Sequence, residues 1–120
     1  MAKHILVVDD DEYIRELYEE VLKDAGFTVD IAVDGQDGYE KITSTHYDLV
    51  MLDIMMPKMD GVQLLKKLAD ENIHPHVVLL TNLAHDPVMK EGKSLGALAY
   101  LIKADMTPDQ LVDQIKKYVK

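Results

Sequence analysis

Apolar residues gather in five short runs at fairly even spacing along the chain: residues 5–8, 29–33, 49–52, 77–80 and 98–102. Runs this short and this rich in Val, Ile and Leu predict β-strands. Between them the period lengthens. Ile14, Leu17, Tyr18, Val21, Leu22 and Ala25 recur at the i, i+3, i+4, i+7 spacing of one buried helical stripe. Val62, Leu65, Leu68 and Ala69 repeat that spacing, as do Leu111, Val112, Ile115 and Val119. The helix between the second and third strands has a thinner pattern, Tyr39 and Ile42 behind a start signal at Asp34 to Asp37.

Boundary chemistry supports these elements independently of period. Thr107, Pro108 and Gln110 fit an N-cap, an N1 proline and the N3 partner of a capping box, and Asp86 with Pro87 opens another helix the same way. Gly26, Gly96 and Asn72 stand where helices should stop and a positive φ is favoured. The pattern is a βα unit repeated five times. Four of the five runs are apolar throughout, which predicts a parallel sheet covered on both faces by helices, a doubly wound α/β domain. In the second strand Val29, Ile31 and Val33 alternate with Thr28, Asp30 and Ala32, so it is placed at a sheet edge. With no repeat, low-complexity tract or linker in 1–120, one domain is expected, and Met1 just before the first strand fits a native start.

Composition then narrows the function. At 48% hydrophobic and 29% charged the chain has side chains enough for a core, so intrinsic disorder is not expected. Its formal net charge of -9 has the wrong sign for direct nucleic-acid binding through phosphates or for adhesion to an anionic membrane. The lack of cysteine excludes disulfides, thiolate metal sites and a cysteine nucleophile. No secretory h-region precedes Asp9, and no stretch approaches the ~18 apolar residues of a membrane span, so no membrane insertion and a cytoplasmic location are expected.

In a parallel sheet all strand C-termini lie along one rim, where ligands bind. The first run ends in Asp9 and Asp10, the third in Asp53, the fourth in Thr81 and the fifth in Lys103, while the second ends in apolar Val33. Taken singly, the acids could cap helices, and Thr81 and Lys103 could be ordinary surface groups. Their coincidence on one rim is what such readings leave unexplained. Three carboxylates without a counter-charge repel, which a divalent cation relieves. An all-oxygen set suits Mg²⁺, and a hydroxyl with an ammonium beside it suits the oxygens of a phosphoryl group in transfer. Asp53 is assigned as nucleophile.

Asp9-Asp10-Asp11 after residues 5–8, the segment from Asp53 to Gly61 (Asp-Ile-Met-Met-Pro-Lys-Met-Asp-Gly), Thr81, Tyr100 and Lys103 together resemble the receiver domain of two-component response regulators, over the whole chain. The resemblance implies a flavodoxin-like (βα)5 fold with strand order 2-1-3-4-5. It implies that Asp53 accepts a phosphoryl group from a sensor histidine kinase or histidine phosphotransfer protein. Asp10, Asp53 and the Met55 backbone carbonyl would bind Mg²⁺ directly, and Asp9 through water. Thr81 and Lys103 would contact the phosphoryl oxygens, and Tyr100 would change rotamer with Thr81 on activation. The fourth-helix, fifth-strand and fifth-helix face would then signal to a downstream partner or output domain outside this chain, or form a phosphorylation-linked dimer. Such a protein is a phosphorelay switch rather than an enzyme, its chemistry limited to self-catalysed phosphoryl acceptance and autodephosphorylation. In the same family the acidic first helix, with Glu12, Glu16, Glu19, Glu20 and Asp24, commonly docks the kinase.

The chain also departs from the family pattern. Lys103 precedes Ala104 where proline with a cis bond is usual, so the bond is either trans in an altered loop or strained. Asn82 is bulkier than the usual small residue and narrows access, while apolar Met55 and Leu83 predict slow autodephosphorylation. Gly92 weakens the short fourth helix, at ~1 kcal/mol relative to alanine, and marks it as the bistable element. Met51, Met55, Met56 and Met59 read as core and loop packing. His74 and His76 on one strand, with His85 nearby, lack companion metal-ligand spacing and read as solvated or capping groups. Two rivals stand beside the receiver: a phosphorylation-independent binding module, and a small phosphatase of the haloacid dehalogenase type with Asp9 as nucleophile. Glu12 after Asp9-x-Asp11 and the short chain disfavour the second.

Overall fold

The computed structural model describes residues 2–82 and 86–119, the side chains of Asp86, Pro87, Val88 and Ala104 excepted. Strands β1 (His4–Val8), β2 (Thr28–Ala32), β3 (Leu49–Asp53), β4 (Val77–Thr81) and β5 (Ala99–Ile102) pair in parallel in the order β2-β1-β3-β4-β5. Helices α1 (Glu12–Asp24), α2 (Gly35–Ser44), α3 (Gly61–Asp70), α4 (Asp86–Ser94) and α5 (Pro108–Tyr118) connect or follow them. The doubly wound architecture and strand order agree with the pattern of apolar runs, and β2 is an edge strand, as its alternation predicts.

Side-chain alternation divides the core in two. Leu6, Val8, Val50, Leu52, Val77 and Leu79 pack against Ile42 of α2 and Val62, Leu64, Leu65 and Leu68 of α3. Ile5, Val7, Leu49, Met51, Val78 and Leu80 pack against Tyr18 and Leu22 of α1 and Leu111 and Ile115 of α5. Both faces of β3 and β4 are therefore buried. Helix α4 joins the first layer so closely that a Cβ at Gly92 would lie 2.3 Å from Leu79 Cδ1. Gly92 thus has a packing role beyond its low helix propensity.

The caps follow the sequence closely. Thr107 and Gln110 exchange capping-box hydrogen bonds with Pro108 at the start of α5, and Asp60 with Gln63 does the same at α3. Gly26, Gly96 and Asn72 all have positive φ where their helices end. Helix α2, thin in apolar pattern, is secured by the Asp34 cap and by Gly38, whose missing side chain admits Val8.

Strand boundaries shift by a residue from the apolar runs. Strand β2 ends at Ala32, leaving Val33 exposed beyond it, because the Val33 N–H goes to the Asp37 carboxylate of α2. Leu98 precedes β5. His74 and His76 lie before β4 in an exposed connection rather than on a strand, and His74 pairs with the Asn72 side chain. His85 and Leu83 lie outside the described residues. At the rim where strands begin, Lys3, near the chain start, and Val119, near its end, line one cleft of about 460 Å³. No helix among the described residues is long and apolar enough to cross a membrane.

Candidate functional site

The site forms where β1, β3, β4 and β5 end. Asp9 follows Val7, and Asp53 follows Met51, in the alternation that faces α1 and α5, so the two carboxylates arrive on the same side of adjacent strands. Lys103 follows Leu101 on that same face of β5 and reaches across to both. Its Nζ lies 2.6 Å from Asp9 Oδ2 and 3.3 Å from Asp53 Oδ2, with all three side chains buried. Asp10 stands at the exposed edge of this group. Asp9, Asp10 and Asp53 offer carboxylate oxygens that lie within 4.8 Å of one another. Such a set of hard oxygen donors fits a small divalent cation, and it sets three carboxyl groups against one ammonium.

Asp9 is fixed at every polar atom. Its N–H donates to the Ala32 carbonyl, one carboxylate oxygen accepts from the Asp11 N–H at 2.9 Å, and the other holds Lys103. Arg15 Nη1 donates to its carbonyl oxygen at 2.7 Å. Asp53 is less completely held. Its Oδ1 accepts a long 3.3 Å bond from the Met55 N–H, and burial followed by the Asp9 charge pushes its carboxyl up to about 7 against the opposing pull of Lys103. Tyr18 senses the same negative charge. Burial first, then Asp9 and Asp53, raise its hydroxyl to about 12, so it remains protonated.

The loop after Asp53 is shaped to leave that side chain on the rim. Ile54 N–H bonds the Leu80 carbonyl, Gly61 N–H turns back to the Ile54 carbonyl, and Lys58 takes φ 67°. A Cβ at Gly61 would sit 2.5 Å from the Asp53 carbonyl oxygen, so only glycine allows this return. Met55, in contrast to buried Met51, is 69% exposed beside the site. Thr81 is buried at the end of β4, and Asn82 beyond it is exposed. Thr81 continues the face of Leu79, and Tyr100, paired with Leu79 in the register, belongs to that face too. The Tyr100 ring is part-exposed, with Lys93 Nζ of α4 5.8 Å from its centroid.

The structure thus brings together Asp9, Asp10, Asp53 and Lys103, with Thr81 at the adjacent strand end and Tyr100 one step further back. The Lys103–Ala104 bond is not cis: no cis peptide occurs among the described residues, and Lys103–Asp105 forms a 3-10 turn. Lys103 still reaches both carboxylates. Arg15 and Tyr18 were not expected at the site. Tyr18 belongs to the core stripe of its helix, and nothing local signals that either residue turns towards Asp9.

A family model described as the response regulator receiver domain matches residues 5–116. The chain belongs to this family of two-component response regulators. Among curated relatives, the sporulation initiation phosphotransferase F of Bacillus subtilis is 37% identical over 121 residues, covering 99% of this chain and 95% of that protein. The transcriptional regulatory protein DltR of Streptococcus agalactiae is 38% identical over 112 residues, covering 93% of this chain. The receiver spans about half (50%) of DltR's length. Among solved structures, a CheY-like response regulator receiver domain protein of Methanospirillum hungatei matches with a TM-score of 0.91 at 30% identity, covering 99% of this chain and 94% of that one.

Proposed function

We propose that this receiver domain is a Mg²⁺-dependent phosphoryl switch with Asp53 as acceptor. The observation that carries the reading is the buried Asp53 carboxylate, held at 3.3 Å by Lys103 within a cluster of three carboxylates. An Asp53 oxygen attacks the phosphorus of a phosphohistidine on a sensor kinase or phosphotransfer protein; the P–N bond breaks and the leaving imidazole takes up a proton. The Met55 N–H holds the other Asp53 oxygen, and Lys103 stabilises negative charge on the transferred group. Asp10, Asp53 and the Met55 carbonyl would hold Mg²⁺, with Asp9 acting through water. When bound, the ion neutralises carboxylate and phosphoryl charge. Asp9 is held by shorter contacts than Asp53, at 2.9 and 2.6 Å against 3.3 Å for both Asp53 oxygens, which favours Asp53 over Asp9 as nucleophile and so disfavours the phosphatase alternative.

Phosphorylation adds a group of about -1.5 to -2 charge with new acceptor oxygens. Thr81 supplies a hydroxyl to them from the α4 side of the sheet, and Tyr100 lies diagonally behind it on the same face. Inward movement of Tyr100 would alter the α4–β5–α5 surface that partners read, whether an output domain, a downstream protein or a second receiver. The near full-length match to a protein named a phosphotransferase supports transfer chemistry. Turnover is confined to the protein's own aspartyl phosphate, so the reading is a switch rather than an enzyme.

Incubation with acetyl phosphate and Mg²⁺, followed by intact mass, tests this. One phosphoryl adduct is expected for wild type and none for Asp53→Ala or in EDTA. An adduct persisting in Asp53→Ala would sink the assignment, and no adduct under any condition would favour the phosphorylation-independent module.

A further inference from the structure

The acid cluster has one member whose aim nothing on its own side chain secures. Asp9 and Asp53 are anchored by Lys103 and by main-chain N–H groups, whereas the exposed Asp10 carboxylate has no hydrogen-bond or ion-pair partner among the described residues. Its direction is therefore set by the backbone. The peptide that joins it to Asp9 has its carbonyl oxygen held by Arg15 Nη1 at 2.7 Å, the shortest side-chain contact on this loop after that of Lys103. Arg15 is half-buried in the first turns of α1. The guanidinium thus reaches back from α1 to the loop after β1, without pairing with any carboxylate of the cluster.

We propose that Arg15 is a positioning residue for divalent-cation binding, locking the Asp9–Asp10 peptide so that the Asp10 carboxylate stays turned to the rim; this rests on the receiver reading above. Two effects of Arg15 oppose each other. As a cation near three carboxylates it repels a metal ion, and its removal on Coulomb grounds alone strengthens metal binding. As an orienter of a ligand-bearing peptide it favours the ion, and loss of such outer-shell partners costs about 10-fold to 100-fold in metal affinity. The sign of the change therefore separates the roles.

The test is a Mg²⁺ titration of the full chain followed by amide NMR shifts, in wild type, Arg15→Met and Arg15→Lys, with Asp10→Ala as the reference for a lost ligand. Arg15→Met is expected to weaken Mg²⁺ about 10-fold with the dispersed amide pattern of the sheet intact. Arg15→Lys, which keeps the charge but replaces the planar fork with one ammonium, should fall between it and wild type. Asp53 phosphorylation by acetyl phosphate should be slowed in Arg15→Met at low Mg²⁺ and return to within about twofold of wild type at saturation. Should Arg15→Met lose amide dispersion, Arg15→Gln serves the same comparison. Binding by Arg15→Met as tight as wild type, or tighter, overturns the proposal. Absence of Mg²⁺ binding in wild type overturns both it and the Mg²⁺-dependent switch proposed above, so the wild-type curve tells the two failures apart.

Discussion

The two rims of the sheet are both polar, and they treat charge in opposite ways. Where strands begin, His4 Nε2 and the Tyr47 hydroxyl meet Asp30 Oδ2 at 3.0 and 2.8 Å, and the His4 ring lies 4.5 Å from that of Tyr47. Asp48 accepts the His4 N–H at 2.7 Å and returns its own N–H to the His4 carbonyl. Each of these carboxylates has donors to match, and Asp30 keeps 43% of its side chain in solvent. Where strands end, three carboxylates gather, and the two buried ones share Lys103 as their one cation partner among the described residues. The first rim is a closed network that ties β1, β2 and the approach to β3 together. The second holds unrelieved repulsion, which is a cost in the resting fold and a capacity to bind a cation or accept a phosphoryl group.

Removing the shared ammonium should widen the contrast most. Lys103→Met leaves Asp9 fully buried beside Asp53 with no cation, and a loss of ~3 kcal/mol at neutral pH is expected in urea unfolding. An unchanged midpoint would mean that the rim tolerates its charges without Lys103.

Removing a carboxylate should act in the other direction. The Asp53 carboxyl titrates near 7 in the fold against its ordinary 3.8, so the folded state resists ionisation that the unfolded chain allows. Below pH 4 wild type and Asp53→Asn should be alike in this respect. From about pH 4 up to about 7 wild type loses stability relative to Asp53→Asn, and above that the gap stays constant at ~2 kcal/mol, less than the full shift because the variant also gives up one Lys103 contact. Mg²⁺ should close that gap. Melting temperatures of both proteins from pH 4 to 8 would check it, and a gap that shrinks with rising pH would contradict it.

The closed rim should give the smallest response. Tyr47→Phe removes one hydrogen bond to Asp30 and should cost ~1 kcal/mol, while leaving the acetyl phosphate reaction at Asp53 unchanged. A slowed reaction would show that the rims communicate.

Much of the fold was legible because its signals are local. Strand runs, the Thr107 box and the positive φ at Gly26, Gly96 and Asn72 each depend on neighbours in sequence. The rim residues were legible for a topological reason: parallel strands put their last residues side by side, so the polar groups terminating the apolar runs sufficed to find Asp9, Asp10, Asp53, Thr81 and Lys103. What escaped are partnerships between distant positions. Lys103 and Asp9 are 94 residues apart and His4 and Asp30 are 26 apart, and neither pair leaves a periodic trace. Val33 was misplaced because alternation in β2 runs on past the point where Asp37 captures the next N–H. Lys58 in the left-handed region had no glycine or asparagine to announce it.

The cleft shared by Lys3 and Val119 places these two residues a full strand length from the acid cluster. A tag or a fused domain attached at either end would therefore leave the reactive edge unobstructed. Joining the two ends by a short linker and reopening the chain at an exposed turn such as Glu71–Asn72 should yield a circular permutant with its chemistry intact.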